Sequence, residues 1–216
     1  MFTIQCDFDD TVTVGDVGTE IVAAFGPKEW EEEEVAYLAG KMSVEETVRR
    51  QYGRVKVSPK ELDKFIRQKT VVREGFFEFV SFCQAQDISL VIVSSGLDLY
   101  IEPILSRFGL TNVEHYTGNA SLNHGSVTVE YKDPRGQPIQ EGFKMAYFNL
   151  LKQRGRPIVY IGDSMSDIVP ATKSNYILAR GVLENQLRAR GVPFFPFDDF
   201  NDVIKRLESL KGQKLR

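Results

Sequence analysis

Apolar and polar positions follow two rhythms along this chain, with one exception. Met1 to Cys6 is a short apolar run with a polar interruption, closed by Asp7-Phe8-Asp9-Asp10-Thr11, and it predicts a buried strand followed by a loop. From Gly18 to Lys69 the spacing is helical, with segments at Glu29 to Gly40, Ser43 to Arg54 and Ser58 to Lys69 and no strand candidate. Ser43 and Ser58 stand as N-caps, each followed three residues later by a glutamate, Glu46 and Glu61. After Val71-Val72, helix and strand alternate. Gly75 to Gln86, Leu97 to Phe108, Phe143 to Gln153, Asp167 to Lys173, Leu183 to Arg190 and Phe200 to Lys211 read as helices; Ile88 to Val93, Pro157 to Ile161, Tyr176 to Ala179 and Pro193 to Phe197 read as strands. Continuous apolar strands separated by helices predict a parallel sheet covered on both faces. The exception is Val127 to Tyr131, which alternates apolar with polar after the turn-like Asn123-His124-Gly125; Tyr116 to Tyr131 reads as an inserted β-hairpin leading into a flexible loop, Asp133 to Pro138. The acidic run Glu29 to Glu34, broken by Trp30, reads as a solvated helix face, and Trp30 with Phe25, Tyr37 and Leu38 as the core of the helical block.

Composition narrows the class without supplying a chemistry. At about 150 residues per domain, 216 residues make one or two domains. The balance of 27 basic against 30 acidic side chains excludes a dominant attraction to nucleic acid or to an anionic membrane. No apolar run approaches the roughly 20 residues of a membrane span and the first residues lack a signal-peptide layout, so the expected location is the cytoplasm. Two cysteines, Cys6 and Cys83, provide neither a disulfide framework nor a thiolate metal site and read as core; His115 and His124 read as hairpin and turn residues.

In an open parallel sheet, ligands bind beyond the carboxyl ends of the strands. The polar residues there are Asp7, Asp9 and Thr11 after the first strand, Ser94 and Gly96 after the second, and Gly162, Asp163 and Asp167 after the third. Any one of them alone is an ordinary turn or capping residue. Together they form a set. Asp7 and Asp9 share one side if the extended backbone persists, and converging carboxylates need a counter-charge, which a hard divalent cation such as Mg2+ supplies. Such a site accepts phosphate oxygens, with Thr11, Ser94 and Lys144 as further donors. An attacking Asp forms an aspartyl-phosphate, and a second carboxyl protonates the leaving oxygen and then activates water.

The order of these residues resembles the haloacid dehalogenase-like hydrolase superfamily. Asp7-Phe8-Asp9-Asp10-Thr11 resembles its DxDx[TV] motif, Val93-Ser94-Ser95-Gly96 its second motif, Lys144 its third and Gly162-Asp163-Ser164-Met165-Ser166-Asp167 its GDxxxD fourth. The resemblance implies a Rossmann-like α/β fold of three layers, with a core over 1–14 and 72–216, an all-helical cap over 15–71 and the small hairpin. It implies Asp7 as nucleophile and Asp9 as general acid/base. Thr11, Ser94, Ser95, Gly96 and Lys144 would bind the phosphoryl group, with Asp16 and Arg73 as further substrate contacts. Mg2+ would be held by Asp7, the Asp9 carbonyl and Asp163, with Asp167 in support.

The helical cap is similar to that of the phosphoserine-phosphatase-like subgroup. Within it, Arg73-Glu74-Gly75-Phe76, the hairpin and the length are most similar to the methionine-salvage phosphatases, which act on 2-hydroxy-3-keto-5-methylthiopentenyl-1-phosphate. Asp16 stands where phosphoserine phosphatases carry a substrate-reading Glu, and 132–142 lacks the cysteines of some methionine-salvage members. The expected protein is a Mg2+-dependent phosphatase of a small phosphorylated metabolite, a monomer or homodimer without nucleic-acid or membrane partners. The alternatives are a phosphoserine phosphatase, a phosphotransferase of the same family and a non-catalytic metabolite-binding module.

Overall fold

The computed structural model describes residues 2–212, so the predicted strand position at Met1 and the end of the core at 213–216 lie outside the described residues. The described strands form one seven-stranded sheet in the order β4-β3-β2-β1-β5-β6-β7: β1 Thr3–Cys6, β2 Ser89–Leu97, β3 Glu114–Asn123, β4 Ser126–Glu130, β5 Ile158–Gly162, β6 Tyr176–Ala179 and β7 Phe195–Pro196. All pairings are parallel except β3 with β4. Val91 to Val93 and Ile158 to Ile161 are buried without alternation, as strands covered on both faces require. β1 lies between β2 and β5, so the connections leave it in opposite directions. That reversal opens a crevice at its carboxyl end, where Asp7 follows.

The helices are α1 Val17–Phe25, α2 Trp30–Leu38, α3 Val44–Tyr52, α4 Pro59–Lys69, α5 Phe76–Ala85, α6 Asp98–Arg107, α7 Phe143–Lys152, α8 Ile168–Ala171, α9 Gly181–Ala189 and α10 Phe200–Gly212. Both predicted N-caps form: Ser43 accepts from Glu46 N, and Ser58 and Glu61 complete a reciprocal capping box. Each such cap contributes about 1 kcal/mol. α5 and α10 pack through Phe76, Phe79 and Phe200, with ring centroids 4.8 and 5.0 Å apart.

The chain leaves the sheet after β1 and returns before α5 along one path. Thr13 pairs with Val72 in an antiparallel bridge, and Val14 N donates to Val71 O at 2.8 Å. Between these crossings lie α1 to α4.

Two local expectations change. The hairpin turns at His124 and Gly125, both at positive φ, as a two-residue connection of twisted strands demands. Its first strand, however, begins at Glu114 and pairs with β2 before it meets β4, so the hairpin continues the main sheet to its edge. Residues 133–138 form an ordered turn instead of a flexible loop, because Asp133 Oδ1 accepts the N–H groups of Arg135 and Gln137.

Candidate active site

A cavity of about 190 Å³ lies at the carboxyl end of β1, floored by Asp7, Asp9, Ser94, Ser95, Gly96, Lys144 and Asp163 and roofed by residues of α1, α2 and α3. Asp7 ends the extended strand, and the loop beyond it is fixed by a tight turn in which Asp10 takes φ 47° and its carboxylate accepts from Gly15 N. Two arginines hold that turn. Arg73 donates to Thr11 O, Asp10 O and Thr13 O at 2.8–3.0 Å, and both Arg73 and Arg180 pair with Asp10 Oδ1. Arg73 is therefore engaged with the 10–13 backbone beneath the site and does not line the cavity, contrary to its expected place as a substrate contact. Thr11 is likewise turned inward, donating to Asp163 Oδ1 at 2.6 Å.

Lys144 enters from the first turn of α7, whose backbone is tied to β1 by Gln5 Nε2 donating to Lys144 O at 3.0 Å. Its Nζ bridges Asp7 Oδ2 at 2.8 Å and Asp167 Oδ1 at 2.6 Å. Asp167 is fully buried and receives four further hydrogen bonds, from the Tyr160 and Ser164 hydroxyls and from Asp163 N and Ser164 N. Gly162 is required here, because a Cβ would lie 2.7 Å from the Asp167 carboxyl. Ser94 Oγ accepts from Gly96 N at 3.0 Å, which leaves its proton free to donate into the cavity.

The charges do not balance. Asp7, Asp163 and Asp167 offer carboxylate oxygens within 4.8 Å of one another, all buried, against one lysine. Burial works against the Asp167 carboxylate, but Lys144 and the surrounding donors hold it below the usual range. Burial also works against the charged Lys144, yet Asp167 and Asp7 keep it firmly protonated. The other two acids are left short of counter-charge. Burial and repulsion from Asp167 push Asp7 up to about 7, and burial with Asp7 and Asp167 nearby pushes Asp163 well above its ordinary value. A divalent cation fits this donor set: hard oxygen ligands, converging, with excess negative charge.

Asp9 faces the same cavity. Enclosure and the nearby Asp16 raise it well above its ordinary value, against the pull of a hydrogen bond from Tyr100. Asp16 lines the cavity and caps α1 by accepting from Thr19 N at 2.7 Å.

The roof holds Glu34 and Gln51, which the sequence pattern did not single out, and Tyr37 and Leu38, which it gave as core of the helical block but which line the cavity, Leu38 half exposed. Glu34, Tyr37 and Gln51 line the cavity beside the apolar Leu38, Val44 and Val48, with Tyr37 close to Ser166. Glu34 thus leaves the solvated face expected for the acidic run, while Glu33 pairs with Arg54. On the core side Tyr100 and Tyr160 were also missed. Tyr160 carried a faint signal, since it is two residues before Gly162 and shares its face of the strand; Tyr100 carried none.

A cleft at the topological switch of a parallel sheet, with Asp, Ser, Lys and Asp-Asp supplied in that order, defines a class. The haloacid dehalogenase-like hydrolase profile matches residues 4–169. A 2-hydroxy-3-keto-5-methylthiopentenyl-1-phosphate phosphatase of Geobacillus kaustophilus (strain HTA426) is 35% identical over 211 residues, 95% of each chain, and one of Brevibacillus brevis (strain 47 / JCM 6285 / NBRC 100599) is 31% identical over 96% of each. Among solved structures, a phospho-aspartyl intermediate analogue of phosphoserine phosphatase superposes with a TM-score of 0.72 at 17% identity, covering 95% of this chain and 98% of its own. The chain belongs to the haloacid dehalogenase-like hydrolases and is a phosphomonoester hydrolase of that family.

Proposed function

We propose that this chain is a Mg2+-dependent phosphatase that passes a phosphoryl group through Asp7, and that its preferred substrate is 2-hydroxy-3-keto-5-methylthiopentenyl-1-phosphate. The observation that carries the chemistry is the Asp7 carboxylate, held at 2.8 Å by Lys144 on the cavity floor beside two more buried carboxylates. Near-full-length identity to phosphatases named for that substrate supports the second part. In the same reading residues 15–71 form the cap, whose two crossings pair where Thr13 meets Val72, and 2–14 with 72–212 form the described part of the core.

In this reading the phosphate oxygens bind to Ser94 Oγ, Lys144 Nζ and the backbone N–H groups around Ser95 and Gly96. Asp7 attacks phosphorus, the ester P–O bond breaks, and the leaving oxygen takes a proton from the Asp9 carboxyl. A water then gives its proton to Asp9 and attacks phosphorus, releasing phosphate and restoring Asp7. Asp7, the Asp9 carbonyl and Asp163 would hold Mg2+, with Asp167 in support. When bound, the ion neutralises the clustered carboxylates and stabilises charge on the phosphate oxygens. The cap shields the first transfer, from the ester to Asp7, from bulk water, and its apolar Leu38, Val44 and Val48 suit an uncharged thioether tail.

A phosphoserine reading has the fold likeness on its side, but Asp16 is one methylene shorter than the glutamate of phosphoserine phosphatases, and the apolar Leu38, Val44 and Val48 on the roof offer no partner to a substrate carboxylate. Phosphate release from phosphoserine and from the methionine-salvage ester, each with Mg2+ or with a chelator, decides the matter. Turnover of the salvage ester, dependent on Mg2+ and on Asp7, is expected. Preference for phosphoserine overturns the substrate, and full activity in Asp7→Asn overturns the mechanism.

A further inference from the structure

Both oxygens of the Asp9 carboxylate are fixed, and from opposite sides of the cavity. Oδ1 accepts the backbone N–H groups of Val17 at 3.1 Å and Gly18 at 3.4 Å, at the start of α1. Oδ2 accepts the Tyr100 hydroxyl at 2.6 Å, from α6 of the core. Tyr100 is 1% exposed. Its hydroxyl runs between two glycines: a Cβ on Gly96 would lie 2.1 Å from Tyr100 Oη and 2.6 Å from Asp9 Oδ2, and one on Gly18 would lie 2.7 Å from Oη. Two positions of the chain therefore carry no side chain where this hydroxyl passes. A phenylalanine would fill the same apolar space without a polar atom to desolvate, so the buried hydroxyl is costly unless its bond to Asp9 is used.

The geometry assigns Tyr100 a role as the positioning residue for proton transfer by Asp9, with Gly18 and Gly96 small in order to admit it. This rests on the reading of Asp9 as general acid. The step served is the transfer of the Asp9 proton to the leaving ester oxygen while the P–O bond breaks. Tyr100 donates to one lone-pair position of Oδ2 and leaves the other for the proton in transit, so its bond holds both before and after the transfer. The Val17 and Gly18 contacts fix one oxygen, and Tyr100 sets the rotation that aims the other.

The leaving group provides a readout that a purely structural role would not move. A good leaving group needs little protonation and a poor one needs much. With Mg2+ present, Tyr100→Phe is expected to lower kcat/KM for phenyl phosphate about tenfold, part of the usual range for general acid catalysis, while p-nitrophenyl phosphate changes less than twofold. Equal losses on the two esters, or no loss on either, overturn the proposal. Should Tyr100→Phe not fold, Gly18→Ala keeps the hydroxyl but crowds it, and must produce the same leaving-group-dependent loss; a uniform loss again overturns the assignment. Asp9→Asn separates the layers. If it leaves phenyl phosphate turnover intact, the general acid reading itself fails. If it shows full leaving-group sensitivity and Tyr100→Phe shows none, the Tyr100 assignment alone fails.

Discussion

On the floor of the cavity each of the buried charges Asp7, Lys144, Asp163 and Asp167 has a partner within 2.8 Å, and Asp167 alone gathers five hydrogen bonds. On the roof, α2 buries no residue, has no side-chain cap and leaves Leu38 half exposed. The difference teaches where rigidity is required. Phosphoryl transfer requires reacting atoms held within fractions of an ångström, so polar side chains there restrain one another. A surface that admits a metabolite and releases product must move, so it is built from few contacts. α3 lies between the two extremes: its buried Glu45 accepts Phe143 N at 2.8 Å, and Arg49 donates to Ile139 O at 2.6 Å, both on the segment that delivers Lys144.

The largest expected effect breaks the floor at its centre. Asp7→Asn should lower kcat by about 10⁴-fold or more, the scale seen when a covalent nucleophile is removed. The same substitution removes one of the crowded carboxylates, so the metal-free protein should melt at a higher temperature than the parent. Loss of activity together with loss of stability would show that the floor was not strained.

Lys144→Met tests the opposite side of the balance. It leaves Asp7, Asp163 and Asp167 buried without their cation and should cost about 3–5 kcal/mol in urea unfolding. A cost below about 1 kcal/mol would mean that the carboxylates are solvated instead of paired.

The same imbalance fixes a pH dependence. Asp7 is raised to about 7 in the folded protein and titrates near 4 when unfolded, so its contribution is fully present below pH 4 and is lost as pH rises through 7. Asp163, raised as well, acts in the same direction. Asp167, held low, loses its contribution only as pH falls below the ordinary carboxylate range. The metal-free protein should lose stability between about pH 4 and 7, by on the order of a few kcal/mol, and Mg2+ should stabilise it more at pH 8 than at pH 5. Equal Mg2+ stabilisation at both would count against metal binding by these carboxylates.

The two regions also differed in how far they could be read from sequence. Asp7 and Asp163 follow apolar strands and Ser94 lies just past the apolar run inside β2, so periodicity puts these three at one end of one sheet, while Lys144, which opens a helix, joins them through its resemblance to the family's third motif. Thr11 and Arg73 sit in the expected segment but face away from the cavity, because Thr11 Oγ1 donates to Asp163 and the loop folded back at the positive φ of Asp10 takes the Arg73 guanidinium. On the roof, Glu34 belonged to an acidic run that any solvated helix carries, and only the packing of α2 over the cavity separates it from Glu31 and Glu32. The edge of the sheet was blurred for a similar reason: Glu114 to Thr117 are half-buried without alternation, so nothing marked where β3 begins.

Arg49→Met should separate α3 from its neighbour. It removes two donated bonds, to Ile139 O and Gln140 O, together with a stack over the Tyr131 ring at 5.2 Å. The expected loss is about 1–3 kcal/mol of stability, with a fall in kcat because the segment before Lys144 loosens. A stability change within about 0.5 kcal/mol would place α3 with the mobile part of the roof.

The smallest effect belongs to Tyr37→Phe. Tyr37 lines the cavity from α2 close to Ser166, and its enclosure there raises the phenol to about 12, so it stays neutral throughout the working pH range. Because α2 is otherwise lightly held, losing this hydroxyl should leave the urea midpoint unchanged within about 0.5 kcal/mol. What should change is how long the roof stays shut. KM for the metabolite substrate is expected to rise severalfold with kcat nearly constant, while a small aryl phosphate, which makes no use of the roof, keeps its KM. If Tyr37→Phe instead destabilised the protein as much as Arg49→Met, α2 would be part of the rigid frame, and the contrast between floor and roof would reduce to one between buried and exposed polar groups.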